Sequence, residues 1–119
     1  MTTHLVLFRL RRDLSPSDRE AFVLAFEAAL RDIPAIRGVR VGHRVTFGAG
    51  YETGAPDLEL AAVIDFDGID DLQAYLWHPA HQALGARFNA SVEQRFVFDY
   101  EMRAGAGAAR ELLEGRAST

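Results

Sequence analysis

The order in which strand-like and helix-like segments follow one another limits the fold of this chain more than any other feature. Apolar runs typical of β-strands occupy residues 4–12, 39–47, 58–66 and 94–102. Apolar residues at helical spacing fill the interval after the first strand and the interval after the third. The order is therefore β-α-β-β-α-β, the split βαβ pattern. It predicts an α+β, ferredoxin-like domain, in which a four-stranded antiparallel sheet carries its helices on one face.

Capping residues and prolines set the expected helix boundaries. Ser15 is a suitable N-cap, Pro16 suits the first helical position, and Pro34 ends the first helix. The second helical region is interrupted at Pro79, because proline disfavours the helical conformation of the residue before it. We therefore expect a further helix over residues 80–93.

Composition excludes several classes of chemistry. The 119 residues suit one domain, and the net charge of −4 disfavours binding to nucleic acid or to an anionic membrane surface. Cysteine is absent and every basic residue is arginine, so the chain has neither a thiolate nucleophile nor a lysine for a Schiff base. No apolar run has the length of a membrane span and no targeting segment is visible, so a cytoplasmic protein is expected.

The chain is expected to divide into a main domain and a tail. The main domain covers residues 1–103, and residues 104–119 form a Gly/Ala-rich C-terminal tail. The composition of this tail is compatible with a short helical turn and with a mobile end.

Apolar residues on both faces of the strands indicate that both faces of the sheet are covered. Helices cover one face. The other face is expected to carry an apolar set that is too extensive for open solvent, namely Leu5, Leu7, Ala61, Val63 and Val97. A second copy of the same sheet covers such a face most simply, so a two-fold homodimer is predicted.

The four histidines are the first candidates for chemistry near neutral pH. His4 starts a strand and His43 lies within one, and both positions are typical of structural histidines. His78 and His81 flank a proline corner, and their H-x-x-H spacing suits a metal in principle. No zincin glutamate accompanies them, however, so no metal site is predicted.

An aromatic residue precedes this corner by one helical turn. The bend at Pro79 can bring Tyr75 and His81 to one pocket wall, where imidazole and phenol form a plausible acid–base pair. Trp77 is a candidate for stacking on a flat ligand, and a partly buried structural aromatic is the alternative.

Three segments resemble the stress-responsive A/B barrel domain, also called the Dabb or dimeric α/β barrel family. His4–Leu10 is similar to the opening strand of that family, Tyr75–His81 to its most characteristic motif, and Val97–Tyr100 to its closing strand. The resemblance covers residues 4–102. It implies a ferredoxin-like homodimer whose two sheets form a central barrel, with a pocket between the sheet and the helices of each chain.

The resemblance also implies an activity without a cofactor. In the polyketide cyclases of the family, a histidine like His81 removes a proton next to a carbonyl and a tyrosine like Tyr75 assists, so that a poly-β-ketone chain closes a ring. Those enzymes have polar residues where this chain has Phe26 and Leu60, which implies a more apolar pocket here. The implied ligand is a small aromatic or polyketone molecule. The residues expected to bind it are His4, Phe26, Leu60, Trp77 and His78.

Three interpretations of function therefore stand at this point. The first is a polyketide cyclase-like enzyme that uses His81 and Tyr75. The second is a non-catalytic, stress-associated or ligand-binding dimer, in which the corner around Pro79 is structural. The third is a cofactor-free monooxygenase or haem-handling protein of the same barrel group.

Overall fold

The computed structural model describes residues 1–115, and it has the predicted ferredoxin-like architecture. The four strands form one sheet in the order β2-β3-β1-β4, and all neighbouring strands are antiparallel. This confirms the predicted α+β class and the four-stranded antiparallel sheet. In chain order the strands and α-helices are β1 (Thr2–Leu10), α1 (Pro16–Asp32), β2 (Gly38–His43), β3 (Leu60–Phe66), α2 (Ile69–Trp77), α3 (Pro79–Ser91), β4 (Val92–Glu101) and α4 (Gly107–Leu113), and a single 3₁₀ turn over Gly50–Glu52 lies between β2 and β3.

Most element boundaries differ from the predicted ones by one or two residues, and the end of β2 differs by four. Strand β1 covers residues 2–10 rather than 4–12, and β3 begins at residue 60 rather than 58. Strand β2 ends at His43 rather than at residue 47, because His43 is the last residue paired with β3, and Val45 beyond it is 70% exposed. Helix α3 ends at Ser91, and β4 begins at Val92 without a connecting loop. This direct junction places the strand earlier than its predicted start at residue 94.

The core lies between the sheet and the helices. Alternate residues of β1, including Val6 and Phe8, are buried against Phe22 of α1 and Phe88 of α3. Four phenylalanines form the centre of this core, with ring centroids 5.1 to 6.2 Å apart, namely Phe8, Phe22, Phe26 and Phe88. This aromatic cluster fixes α1 and α3 side by side on one face of the sheet.

The opposite face of the sheet is not covered by any element of residues 1–115. Leu5 and Leu7 pair there with Phe98 and Phe96, and these two phenylalanines are 44% and 41% exposed. The prediction of an apolar second face is therefore correct, but Val97 does not belong to it. Val97 pairs with Val6 on the helix-covered face, because neighbouring residues of a strand point to opposite sides.

The segment after the sheet forms a short helix. Helix α4 agrees with the helical turn expected in the tail of residues 104–119. A mobile end was the alternative for the same tail, of which residues 116–119 lie outside the described part of the chain. No helix within residues 1–115 is long and apolar enough to cross a membrane.

Candidate active-site cavity

A cavity of about 370 Å³ lies between the helix-covered face of the sheet and helices α2 and α3. Its middle is apolar, with Val6 and Ile64 on the sheet and Leu84 and Phe88 on α3. Polar side chains occupy its wall in two groups. The first consists of His4, Tyr75 and His81, and the second of Asn89 and Arg95.

The break between α2 and α3 brings Tyr75 and His81 together. Tyr75 lies in the last turn of α2, and His81 lies in the first turn of α3, which starts at Pro79. Because the chain bends between the two helices, the two rings face each other with centroids 4.6 Å apart. Tyr75 is 2% exposed and its ring also packs against Phe66 at 5.2 Å. The packing therefore holds the phenol rigidly beside the imidazole.

A backbone carbonyl determines which nitrogen of His81 is basic. Nδ1 of His81 lies 3.1 Å from the carbonyl oxygen of Leu76. A carbonyl oxygen only accepts, so Nδ1 carries the proton and Nε2 keeps its lone pair in the neutral ring. Burial lowers the pKa of His81 below the ordinary 6.5; the carbonyl of Leu76 opposes this shift, and positive charge on His4 adds to it. His81 is therefore a neutral base at neutral pH.

Tyr75 is a proton donor beside this histidine base. Burial raises the pKa of its phenol to about 12, so the hydroxyl stays protonated throughout the neutral range. No protein group among residues 1–115 hydrogen-bonds this hydroxyl, and no fully enclosed side-chain polar atom there lacks a partner. It follows that the hydroxyl is open to the cavity, where it can donate to a ligand.

His4 is held by an acidic partner on the neighbouring strand. Its Nδ1 donates to Oδ1 of Asp99 at 2.6 Å, and its ring meets Tyr75 edge-on with centroids 5.7 Å apart. The His4 side chain is 5% exposed, whereas that of Asp99 is 44% exposed. The carboxylate thus fixes the orientation of the imidazole and directs Nε2 away from β4.

Three residues expected to bind substrate do not line this cavity. Trp77 is 78% exposed, because it follows Tyr75 by two residues and so lies on the far side of α2. His78 is the N-cap of α3, and its Nδ1 accepts from the amide of Ala80 at 3.0 Å. Leu60 faces a second, apolar cavity of about 410 Å³. Phe26 lines both cavities.

The H-x-x-H spacing does not produce a pair of converging ligands. His78 turns to cap the helix, and His81 turns to the cavity. In the described part of the chain, no group of three or more histidine and acidic side chains is arranged to hold a metal ion.

Sequence reasoning missed Asp99, Asn89 and Arg95. The signal for the first was strand register, because Asp99 pairs directly with His4. Arg95 required the correct face of β4, because Arg95, Val97 and Asp99 share the face that is turned toward the helices. Asn89 lies on α3, and its signal was the spacing of four residues that it shares with His81 and Gly85. Placing Val97 on the open face hid Arg95 and Asp99, which lie on the same face of β4.

The fold and the site define a ferredoxin-like α+β domain with one helix-covered sheet face and a cavity between sheet and helices. Residues 2–102 match the family model described as Stress Responsive A/B Barrel Domain. The chain belongs to this family, abbreviated Dabb, which confirms the resemblance noted from its sequence.

The chain is similar to characterised and structurally determined proteins over most of its length. It is 26% identical over 100 residues to olivetolic acid cyclase of Cannabis sativa, covering 84% of this chain and 95% of that protein. A dimeric ferredoxin-like protein of unknown function from Bacteroides fragilis shares 30% identity at a TM-score of 0.61, covering 85% of this chain and 95% of that one. A dimeric ferredoxin-like protein from Thermobifida fusca shares 26% identity at a TM-score of 0.65, covering 85% and 90%.

Proposed function

We propose that this protein is a polyketide cyclase-like enzyme, which removes a proton next to a carbonyl group without a cofactor. One observation carries the proposal: a neutral histidine base and a protonated tyrosine face each other on the wall of an apolar cavity. The 26% identity to olivetolic acid cyclase supports this class of reaction. The expected ligand is a small aromatic or polyketone molecule.

The proton transfer follows from the two protonation states. Nε2 of His81 takes the proton from a carbon next to a carbonyl, and the electrons of the broken C–H bond form an enolate. The phenol of Tyr75 hydrogen-bonds the oxygen on which the negative charge develops. The enolate carbon then attacks a second carbonyl carbon of the same ligand, and the proton on His81 returns to the new alkoxide oxygen. A ring is closed and the protein is restored.

His4 and Asp99 support the proton transfer by holding the neighbouring rings in fixed orientations. The carboxylate of Asp99 holds Nδ1 of His4, and the His4 ring packs edge-on against Tyr75. We assign His4 to the ligand-binding wall and Asp99 to the role of a positioning residue, because its side chain touches His4.

The proposed enzyme is a homodimer that buries the open face of the sheet. Phe96, Phe98 and Tyr100 leave an aromatic strip exposed beside Leu5 and Leu7. Similar proteins from Bacteroides fragilis and Thermobifida fusca are described as dimeric. A two-fold axis through this face would bury the strip of each copy against that of the other.

A non-catalytic ligand-binding dimer is the second candidate. The observation that favours this candidate is Phe26 on the cavity wall, because a phenylalanine side chain offers no hydrogen-bonding group to a reacting ligand. In that case, the cavity would bind a ligand without transferring a proton.

Deuterium exchange separates the two candidates without knowledge of the natural substrate. The probe is 4-phenylbutan-2-one in D₂O, and proton NMR follows loss of the signals next to its carbonyl. Wild-type protein should accelerate the exchange over buffer alone. His81→Gln should lower the enzymatic rate by about a hundredfold or more, the usual contribution of a general base. Tyr75→Phe should lower it less, because His81 remains.

The matched control is His43→Gln, since His43 is an exposed histidine that does not line this cavity. It should exchange at the wild-type rate. Equal rates for wild type and His81→Gln would contradict the enzymatic role. If the ketone raised the melting temperature without any exchange, the binding dimer would be supported instead.

A further inference from the structure

We infer that the cavity selects ligands with a carboxylate, which Arg95, held by Asn89, binds at the end away from His81. This inference rests on the proposed function and narrows its substrate class to amphipathic carboxylic acids that contain a carbonyl group. Its evidence is the position of Arg95, its lack of an acidic partner, and the shape of the cavity.

The two polar groups of the wall lie at opposite ends of the cavity. Along α3, the cavity is lined at His81, Gly85 and Asn89, which are four residues apart and so share one helix face. His81 and Asn89 are separated by about 12 Å along the helix axis, from the rise of 1.5 Å per residue. Strand β4 runs back along α3 from the junction at Ser91, so Arg95 lies near Asn89.

Strand geometry gives the same separation independently. Arg95 and Asp99 are four residues apart on β4, and this corresponds to about 13 Å along the strand. Asp99 contacts His4 at the acid–base end. The apolar side chains of Val97, Leu84 and Phe88 lie between the two ends.

Arg95 is positioned but electrostatically uncompensated. One nitrogen, Nη2, donates to Oδ1 of Asn89 at 2.8 Å, and the guanidinium lies 5.8 Å from the ring centroid of Phe88. Within residues 1–115, Arg95 forms no ion pair with an acidic side chain, whereas Arg9, Arg11 and five other arginines do. Its other nitrogens make no hydrogen bond to this part of the chain.

A carboxylate is the ligand group that fits such a side chain. The guanidinium is a planar fork that donates two parallel hydrogen bonds to the two oxygens of a carboxylate. Asn89 holds the fork from one side, and Phe88 supports it from below. A ligand that fills the apolar middle would therefore place its acid group on Arg95 and its carbonyl group beside Tyr75 and His81.

The test compares one carboxylic acid with its uncharged amide. The probes are 7-oxo-7-phenylheptanoic acid and its primary amide, titrated by calorimetry into the full-length protein. The wild type should bind the acid about tenfold or more tightly than the amide, which corresponds to about 1.4 kcal/mol. Arg95→Gln should remove this preference, because it should weaken binding of the acid by much more than binding of the amide.

Arg87→Gln is the matched control, because Arg87 is exposed on the same helix and does not line the cavity. It should keep the full preference for the acid. Arg95→Lys should retain part of it, since the charge remains and the fork is lost. Melting temperatures of all variants verify that each is folded.

The outcomes separate the two proposals. If the amide binds and the acid has no advantage, the carboxylate inference is overturned and the apolar cavity remains a binding site. If Arg95→Gln weakens both probes equally, Arg95 acts through packing and the inference is again overturned. If neither probe binds when it is added at about 5 mM, its dissociation constant lies above the millimolar range. The inference is then overturned together with the proposed ligand class.

Discussion

At the scale of single residues, burial moves two neighbouring titrating groups in opposite directions. A buried site disfavours charge, so the pKa of His81 falls and that of Tyr75 rises to about 12. Both rings are consequently neutral at neutral pH, one as a base and the other as an acid. Separated pKa values of this kind assign acid and base roles within one cavity.

The lowered pKa of His81 predicts a pH-dependent stability. As pH falls, the unfolded chain takes up this proton near the ordinary 6.5, before the folded protein does. The contribution of His81 to the free energy of unfolding is therefore complete above that pH and is lost as pH falls through the folded pKa. Imidazole NMR titration and urea unfolding between about pH 5 and about pH 8 would measure both quantities.

The His81→Gln variant is the control for this effect. The free energy of unfolding of this variant should depend less on pH over the same interval than that of the wild type. A measured pKa for His81 at or above 6.5 would contradict the assigned environment.

Single residues were predictable from sequence only where local geometry positions them. Tyr75 and His81 meet across a proline corner that is visible in the sequence. Arg95 and Asp99 depend on the face of β4, which a shift of one residue reverses. Trp77 lies beside the motif in sequence, but the helix turns it outward.

At the scale of elements, α3 and β4 form one unit around the cavity. The helix ends at Ser91 and the strand begins at the next residue. Prolines and caps identified the break before α3, because such residues act locally. They did not identify the end of α3, because no glycine or proline marks the junction with β4.

Helix α3 carries a glycine whose replacement should stabilise the fold. A Cβ added at Gly85 would meet no atom within 4 Å, and its backbone is helical. Gly85→Ala should therefore raise the free energy of unfolding by about 0.5–1 kcal/mol, since alanine loses less conformational entropy on folding. Urea denaturation would measure the change.

The neighbouring Ala86 provides the control. It is exposed on the same helix, and Ala86→Gly should lower the free energy of unfolding by about 0.5–1 kcal/mol. A loss of stability in Gly85→Ala would contradict the open space assigned to that position.

At the scale of the whole molecule, the order of elements was sufficient to predict the ferredoxin-like class of fold. Two consecutive β-α-β units can form one sheet in only a few ways without crossed connections. The observed strand order, β2-β3-β1-β4, is one of these arrangements. The apolar second face was also predictable, because Leu5 and Leu7 alternate with buried residues on β1. The position of the aromatic strip of β4 on this face could be assigned only from the register of β4 against β1.

The proposed dimer depends on this second face. Phe98→Glu should separate the copies, because a dimer would bury the new carboxylate without a partner. Sedimentation would then give half of the wild-type mass. Leu24→Glu is the control, since Leu24 is 57% exposed on α1 and lies away from this face. A Phe98→Glu protein with the wild-type mass would contradict the proposed interface.

The position of Gly85 has a consequence for the size of molecule that the protein accepts. Gly85 lies midway between His81 and Asn89 on the cavity wall, and nothing occupies the space where its side chain would begin. The size of the side chain at position 85 thus determines the length of ligand that the cavity can hold. A methyl group there would shorten the accessible length slightly, and a leucine would divide it into two compartments, each suited to a shorter molecule.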